Sequence, residues 1–176
     1  MLESSHIAKM ATHRHTHADA HNESGQDDPA GVQMIILDIL MNSSKTKLLR
    51  EAVLRGDALL VQTCLQAGVP QTPDRDGTTL LNLAARNGHV EVIKLLLKNG
   101  ATHDPDEHGW TPLNWAASNG YLEVVKLLLE NGATHDPNKN GLTPLILAAM
   151  KGYIEIASVL LESDATHDPD WRGRPH

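Results

Sequence analysis

"GWTPLNWAASNG", residues 109–120, carries in one short run the signals that open and close a helix. Thr111 can cap the start, because its hydroxyl oxygen accepts a bond from an exposed backbone N–H. Pro112 follows at the first helical position, where its missing donor is harmless. Gly120 supplies the positive φ of a helix exit without steric cost. The next residues, "YLEVVKLLLENG" (121–132), place Leu122, Val125, Leu128 and Leu129 on one face of a second helix, which Gly132 stops. The stretch therefore predicts a turn–helix–turn–helix unit whose apolar side needs a neighbour.

Outward from this unit the same signals return at a period of 32 residues. Gly77, Gly109, Gly141 and Gly173 hold that spacing, as do Gly56, Gly88, Gly120 and Gly152. The alanine pair Ala116–Ala117 has counterparts in Ala84–Ala85 and Ala148–Ala149, with Ala52–Val53 upstream. Leu128–Leu129 matches Leu96–Leu97 and Leu160–Leu161, and Cys64–Leu65 one period earlier. Thr143–Pro144 repeats the cap, while Thr79–Leu80 keeps it without the proline. Gly100 ends a second helix as Gly132 does, and Asp164 stands where the last unit lacks that glycine. Residues 45–73 form a degenerate first repeat, followed by repeats at 74–105, 106–137 and 138–169 and a truncated stub at 170–176. A single unit cannot bury its apolar face, so the units must stack into a continuous core, with small alanines letting helices approach closely.

These units resemble ankyrin repeats. The resemblance rests on "DRDGTTLLNLAARNGHVEVIKLLLKNGA" (74–101), "DEHGWTPLNWAASNGYLEVVKLLLENGA" (106–133) and "NKNGLTPLILAAMKGYIEIASVLLESDA" (138–165). It implies an all-α repeat solenoid, an ankyrin-like stack of helix-turn-helix units joined by short hairpin loops. Two departures stand out. The family period is about 33 residues, and the missing residue here falls in the loop between units. The histidine of the family's T-P-L-H is Asn82, Asn114 and Ile146, which predicts a different hydrogen bond between neighbouring units and none at Ile146.

The phrase "ATHDP" occurs at 101–105, 133–137 and 165–169. Pro105, Pro137 and Pro169 push Asp104, Asp136 and Asp168 towards extended backbone, a way to leave a helix and enter a hairpin. A metal reading would need His103, His135 and His167 to converge. Packed helices sit about 8–10 Å apart, whereas zinc holds its nitrogens at about 2.0–2.1 Å. The phrase reads as structural punctuation.

The rest of the chain narrows the function. A net charge of −7 argues against a nucleic-acid partner. The apolar run "VQMIILDILM" (32–41) is too short for a membrane span. With Cys64 alone no internal disulfide exists, so a reducing, intracellular setting, cytoplasmic or nuclear, is expected. Cys64 itself sits at a leucine position and reads as a buried small hydrophobe. Phe is absent and only three Trp and two Tyr occur, a composition suited to helices packed through Leu and Ala. No phosphate-binding glycine loop, G-x-S-x-G elbow or H-E-x-x-H pair is present. The acidic pairs Asp74–Asp76 and Asp106–Glu107 fall on turn tips, where solvent is expected to bathe them. The chain reads as a non-enzyme without a cofactor.

Residues 1–31 form a His-rich leader, poor in large apolar groups and expected to be disordered. Its His13, His15, His17 and His21 are the metal candidates, an alternative function of a different class. Residues 32–44 read as a capping helix or linker, with a partner-binding amphipathic helix as the alternative. Ser44 is the expected cap of a helix at 45–56.

The family resemblance implies that another protein binds at the hairpin tips and the concave helix surface. Carried over by position, that surface is Arg75, Asp76, Thr78, Arg86 and Asn87, then Glu107, His108, Trp110, Ser118 and Asn119. Lys139, Asn140, Leu142, Met150 and Lys151 follow, with Trp171 and Arg172 in the stub. Trp at a tip is a residue type that dominates interface energy, so Trp110 leads and Trp171 is second; packing against the next finger is the alternative for both. Trp115 aligns with Leu83 and Leu147 and is expected in the core. The last repeat keeps Leu145, Ile146, Met150, Ile154, Ile156 and Val159 without a polar cap, so self-association through that end is a further expectation. The leader's role is settled by titrating Zn²⁺ into full-length and leader-deleted protein. The expected result is no sub-micromolar binding; affinity lost with the leader would instead establish the metal reading.

Overall fold

The computed structural model describes the backbone of residues 29–167 and the side chains of Gln33 and of residues 41–164. Eight helices occur among the described residues: α1 (Pro29–Arg55), α2 (Ala58–Gln66), α3 (Leu80–Asn87), α4 (Val90–Lys98), α5 (Pro112–Asn119), α6 (Leu122–Glu130), α7 (Pro144–Lys151) and α8 (Ile154–His167). The chain divides into two compact units, 1–37 and 38–176, and the helix pairs lie in the second. There α3, α5 and α7 pack in sequence as one row, and α2, α4, α6 and α8 as another, with α3–α4, α5–α6 and α7–α8 joining the rows. The leader histidines His13, His15, His17 and His21 and the stub's Trp171 and Arg172 lie outside the described residues.

The local signals act as read. The hydroxyl oxygens of Thr79, Thr111 and Thr143 accept from the N–H groups of Asn82, Asn114 and Ile146 at 3.1, 3.2 and 3.3 Å. Pro112 and Pro144 stand in the first helical turn. Between the rows lies one continuous core, including Leu81, Ala84, Ala85, Ile93, Leu96, Leu113, Ala116, Ala117, Val125 and Leu128, each 1% exposed or less. Cys64, at 6% exposure, packs there as well. On α6, Val124 is buried as fully as Val125, while Leu122 and Leu129 are only partly covered. A helix held between two neighbours buries two flanks, not one stripe.

Neighbouring units are keyed together at the ends of the first helices. Gly88 and Gly120 are left-handed, at φ of 75° and 82°. A Cβ on Gly88 would come within 2.8 Å of the Tyr121 ring, and one on Gly120 within 2.8 Å of the Tyr153 ring. His89 fills the equivalent place against Gly56, and its Nε2 lies 3.0 Å from the Leu54 carbonyl oxygen.

Three expectations need correction. Ser44 caps nothing: α1 runs unbroken through it, because no glycine or proline interrupts residues 33–55. Thr46 instead donates its hydroxyl back to the Ser43 carbonyl at 2.9 Å, as a helix-interior threonine does. Asp164 does not end the last helix, which continues to His167. A left-handed exit costs a residue with a Cβ roughly 1–2 kcal/mol, and without glycine the helix propagates instead. The third ATHDP therefore begins helical, unlike the other two. Asp106 is not on a solvated tip but is buried, at 8% exposure. At the last unit Ile146, Met150, Ile154 and Leu161 stay exposed, at 41, 69, 78 and 54%.

The keying predicts a contrast between two glycines of equal backbone conformation. Gly88→Ala meets both the left-handed strain and the Tyr121 ring, whereas Gly152→Ala meets the strain alone. The second should cost about 1–2 kcal/mol, and the first at least about 1 kcal/mol more for overpacking. Urea unfolding of the two variants measures the difference.

Candidate functional site

The hairpin fingers are built by one side chain each. Oδ1 of Asp74 accepts from the N–H groups of Asp76 and Thr78 at 3.0 and 2.8 Å. Oδ1 of Asp106 does the same for His108 and Trp110, both at 2.9 Å. Asn138 repeats the pattern for Asn140 and Leu142 at 3.0 and 3.1 Å, which requires only an acceptor oxygen and so tolerates the amide. Adjacent fingers join through single backbone bonds: Glu107 N–H donates to Asp76 O at 2.9 Å, and Lys139 N–H to His108 O at 3.0 Å. The Arg50 guanidinium pairs with Asp74 and donates to Thr78 O at 3.2 Å, anchoring the first finger to α1.

Of the residues carried over to this face, Arg75, Asp76, Arg86, Asn87, Glu107, His108, Asn119, Lys139, Asn140, Met150 and Lys151 are exposed. Thr78, Trp110, Ser118 and Leu142 are half-buried. Trp171 and Arg172 lie outside the described residues. Asn87 and Asn119 already use their amides, donating to Leu83 O at 2.8 Å and to Arg86 O at 3.1 Å. Trp110 stacks on Trp115, with ring centroids 4.3 Å apart and planes at 28°. The Arg86 guanidinium sits 4.8 Å over the Trp115 ring. Trp115 thus packs against the core yet keeps part of its surface open, so it belongs to the face as well. Sequence alignment placed it with Leu83 and Leu147; the five-residue step from Trp110, bridging finger and helix, is the signal that was available.

A family model for ankyrin repeats in three copies matches residues 49–139, and one for a single ankyrin repeat matches 140–174. The chain belongs to the ankyrin-repeat family. No curated protein matches it in a sequence search. Ankyrin repeats are in general non-catalytic modules of protein–protein interaction.

This ankyrin chain solves two family positions in its own way. Asn82 and Asn114, both fully buried, donate their amides to the carbonyls of Asp104 and Asp136 at 3.2 and 3.3 Å. The bond closes a unit onto its own exit loop, not onto its neighbour as expected. The histidines of the first two ATHDP phrases make the link between units instead. His103 Nε2 lies 3.0 Å from Asn131 O, and His135 Nε2 lies 3.3 Å from the Ser163 hydroxyl. Gln71, one period earlier, donates to Asn99 O at 2.9 Å. Thr102 and Thr134 bond to the carboxylates of Asp104 and Asp136 in the same loops. His135 Nδ1 is also 3.3 Å from Asp164 Oδ1, within ion-pairing range but outside hydrogen-bond geometry. The register 71, 103, 135 was readable from the sequence, but the reach to the next unit's helix end was not.

Among the described residues no group of three or more His, Cys, Asp or Glu could hold a metal ion. His13, His15, His17 and His21 lie outside those residues. Nor is any helix among the described residues long and apolar enough to cross a membrane. Lys94, on α4, has its pKa raised by the hydrogen bond and charge of Glu91, 2.7 Å away, and stands apart from the finger face.

Substitutions at two positions separate these roles. His103→Gln should retain stability, since Gln71 makes the equivalent bond, while His103→Ala should lose about 1 kcal/mol, both read by urea unfolding. Trp110→Ala should cost about 0.5–1.5 kcal/mol through the lost stack, where an isolated tip residue would have cost nothing measurable.

Proposed function

We propose that this ankyrin chain recognises another protein, without catalysis, through its row of fingertips and the exposed side of α3, α5 and α7. The observation that supports this reading most is the Arg86–Trp115–Trp110 stack. Two indoles and a guanidinium, the side chains most enriched among interface hot spots, are gathered on one face and only partly covered. Stacking holds them in place, so a partner loses little side-chain freedom when it docks on them. The fingers beside the stack are ordered by their Asp and Asn turns and by bonds to each other, which presents Arg75, Asp76, Glu107, His108, Lys139 and Asn140 on a preset frame. The lone, buried thiol of Cys64 supports a place in the cytoplasm or nucleus.

Affinity capture from a cell lysate tests the face. A partner held by the wild type should be lost with the double variant R86A/W110A, and kept with K94A/K126A on the second helices. Folding of each variant is verified by circular dichroism. Retention by the first variant, or loss from the second alone, would move the binding site elsewhere.

A further inference from the structure

The finger face differs in charge from the molecule that carries it. The whole chain has a net charge of −7. Yet the exposed ionised groups of the face are four cations, Arg75, Arg86, Lys139 and Lys151, against two carboxylates, Asp76 and Glu107. The other acids of the fingers are taken up within the fold. Asp74 pairs with Arg50, and Asp106 is buried beneath two backbone N–H groups. Among the described residues no carboxylate forms an ion pair with any of the four cations, whereas Arg50, Arg55 and Lys94 each have one. The positive character continues past Arg75 into a groove of about 420 Å³ at the first finger, which Lys47 also lines. Between the two pairs of cations lies the indole stack, and beside Lys151 the side chain of Met150 is 69% exposed.

We infer that the partner is an acidic peptide segment carrying apolar anchor residues. Its anchors rest on Trp110 and Met150, and its carboxylates face Arg75, Arg86, Lys139 and Lys151. This rests on the protein-recognition reading above and adds the chemistry of what is recognised. Complementary charge on such a face steers the encounter and selects the partner, while the apolar contacts supply most of the affinity. A nucleic acid fits less well, because Asp76 and Glu107 interleave with the cations and the body as a whole repels phosphate.

The experiment is selection of a displayed library of random 16-residue peptides on the full chain, followed by affinity measurement of the enriched peptides. The expected peptides are net negative and contain Leu, Ile, Met or aromatic residues. Their affinity should fall about tenfold with K139E/K151E, a pair remote from the core, and fall again as salt is raised. Neutral or basic enriched peptides that bind the wild type but not R86A/W110A would overturn the charge assignment and leave the face standing. Peptides bound equally by both double variants would overturn the face itself. Displacement of the peptide by an equal concentration of a 20-residue oligothymidine, or no enrichment over bare support, would overturn the proposal too.

Discussion

The first helices of all but the last unit end on a glycine whose empty Cβ position is occupied by a ring from the next unit: His89 against Gly56, Tyr121 against Gly88, Tyr153 against Gly120. The glycine does two jobs there. Its left-handed backbone turns the chain from one helix to the next, and its lack of a side chain leaves the space into which the neighbour's ring fits. A ring seated this closely fixes both the separation and the rotation between units. The fingers are then brought near enough for one backbone bond per junction, Glu107 to Asp76 and Lys139 to His108.

Polar contacts secure the same spacing at the opposite end of each unit. Gln71 and His103 reach the end of the following second helix, at the Asn99 and Asn131 carbonyls that the helix leaves open, while His135 reaches the Ser163 hydroxyl within α8. None is worth more than about 0.5–1.5 kcal/mol net. Their value lies in orientation, since the leucines and alanines beneath them would tolerate sliding and these bonds would not. Repetition of an imidazole in this setting produces a row of fasteners, which is why a residue type suited to metal binding gathers no metal cluster among the described residues.

Individuality sits where the units differ. The repeat fixes a backbone frame common to all fingers, and the frame holds Thr78, Trp110 or Leu142 at the same station. Only the middle unit places an indole there with a second indole five residues on, and among the described residues the stack forms there alone. Charge is distributed in the same way: the acids that shape the turns are consumed by them, and the exposed remainder is mostly basic.

The helices, their caps, the period and the exposed stations of the face were legible in the sequence because each follows from contacts within a few residues. Thr111 before Pro112 and Gly120 beyond them act locally, and the structure only repeats what they specify. Ser44 and Asp164 misled because both are permissive residues: a serine can cap a helix or lie within one, and an aspartate can leave a helix or continue it. The burial of Asp106 and Val124, the half-open position of Trp115 and the reach of His103 to Asn131 were decided by tertiary structure alone. Each depends on what the adjacent unit covers or offers. A spacing of 32 residues along the chain says which side chains are equivalent, but not which atoms of the neighbour they meet.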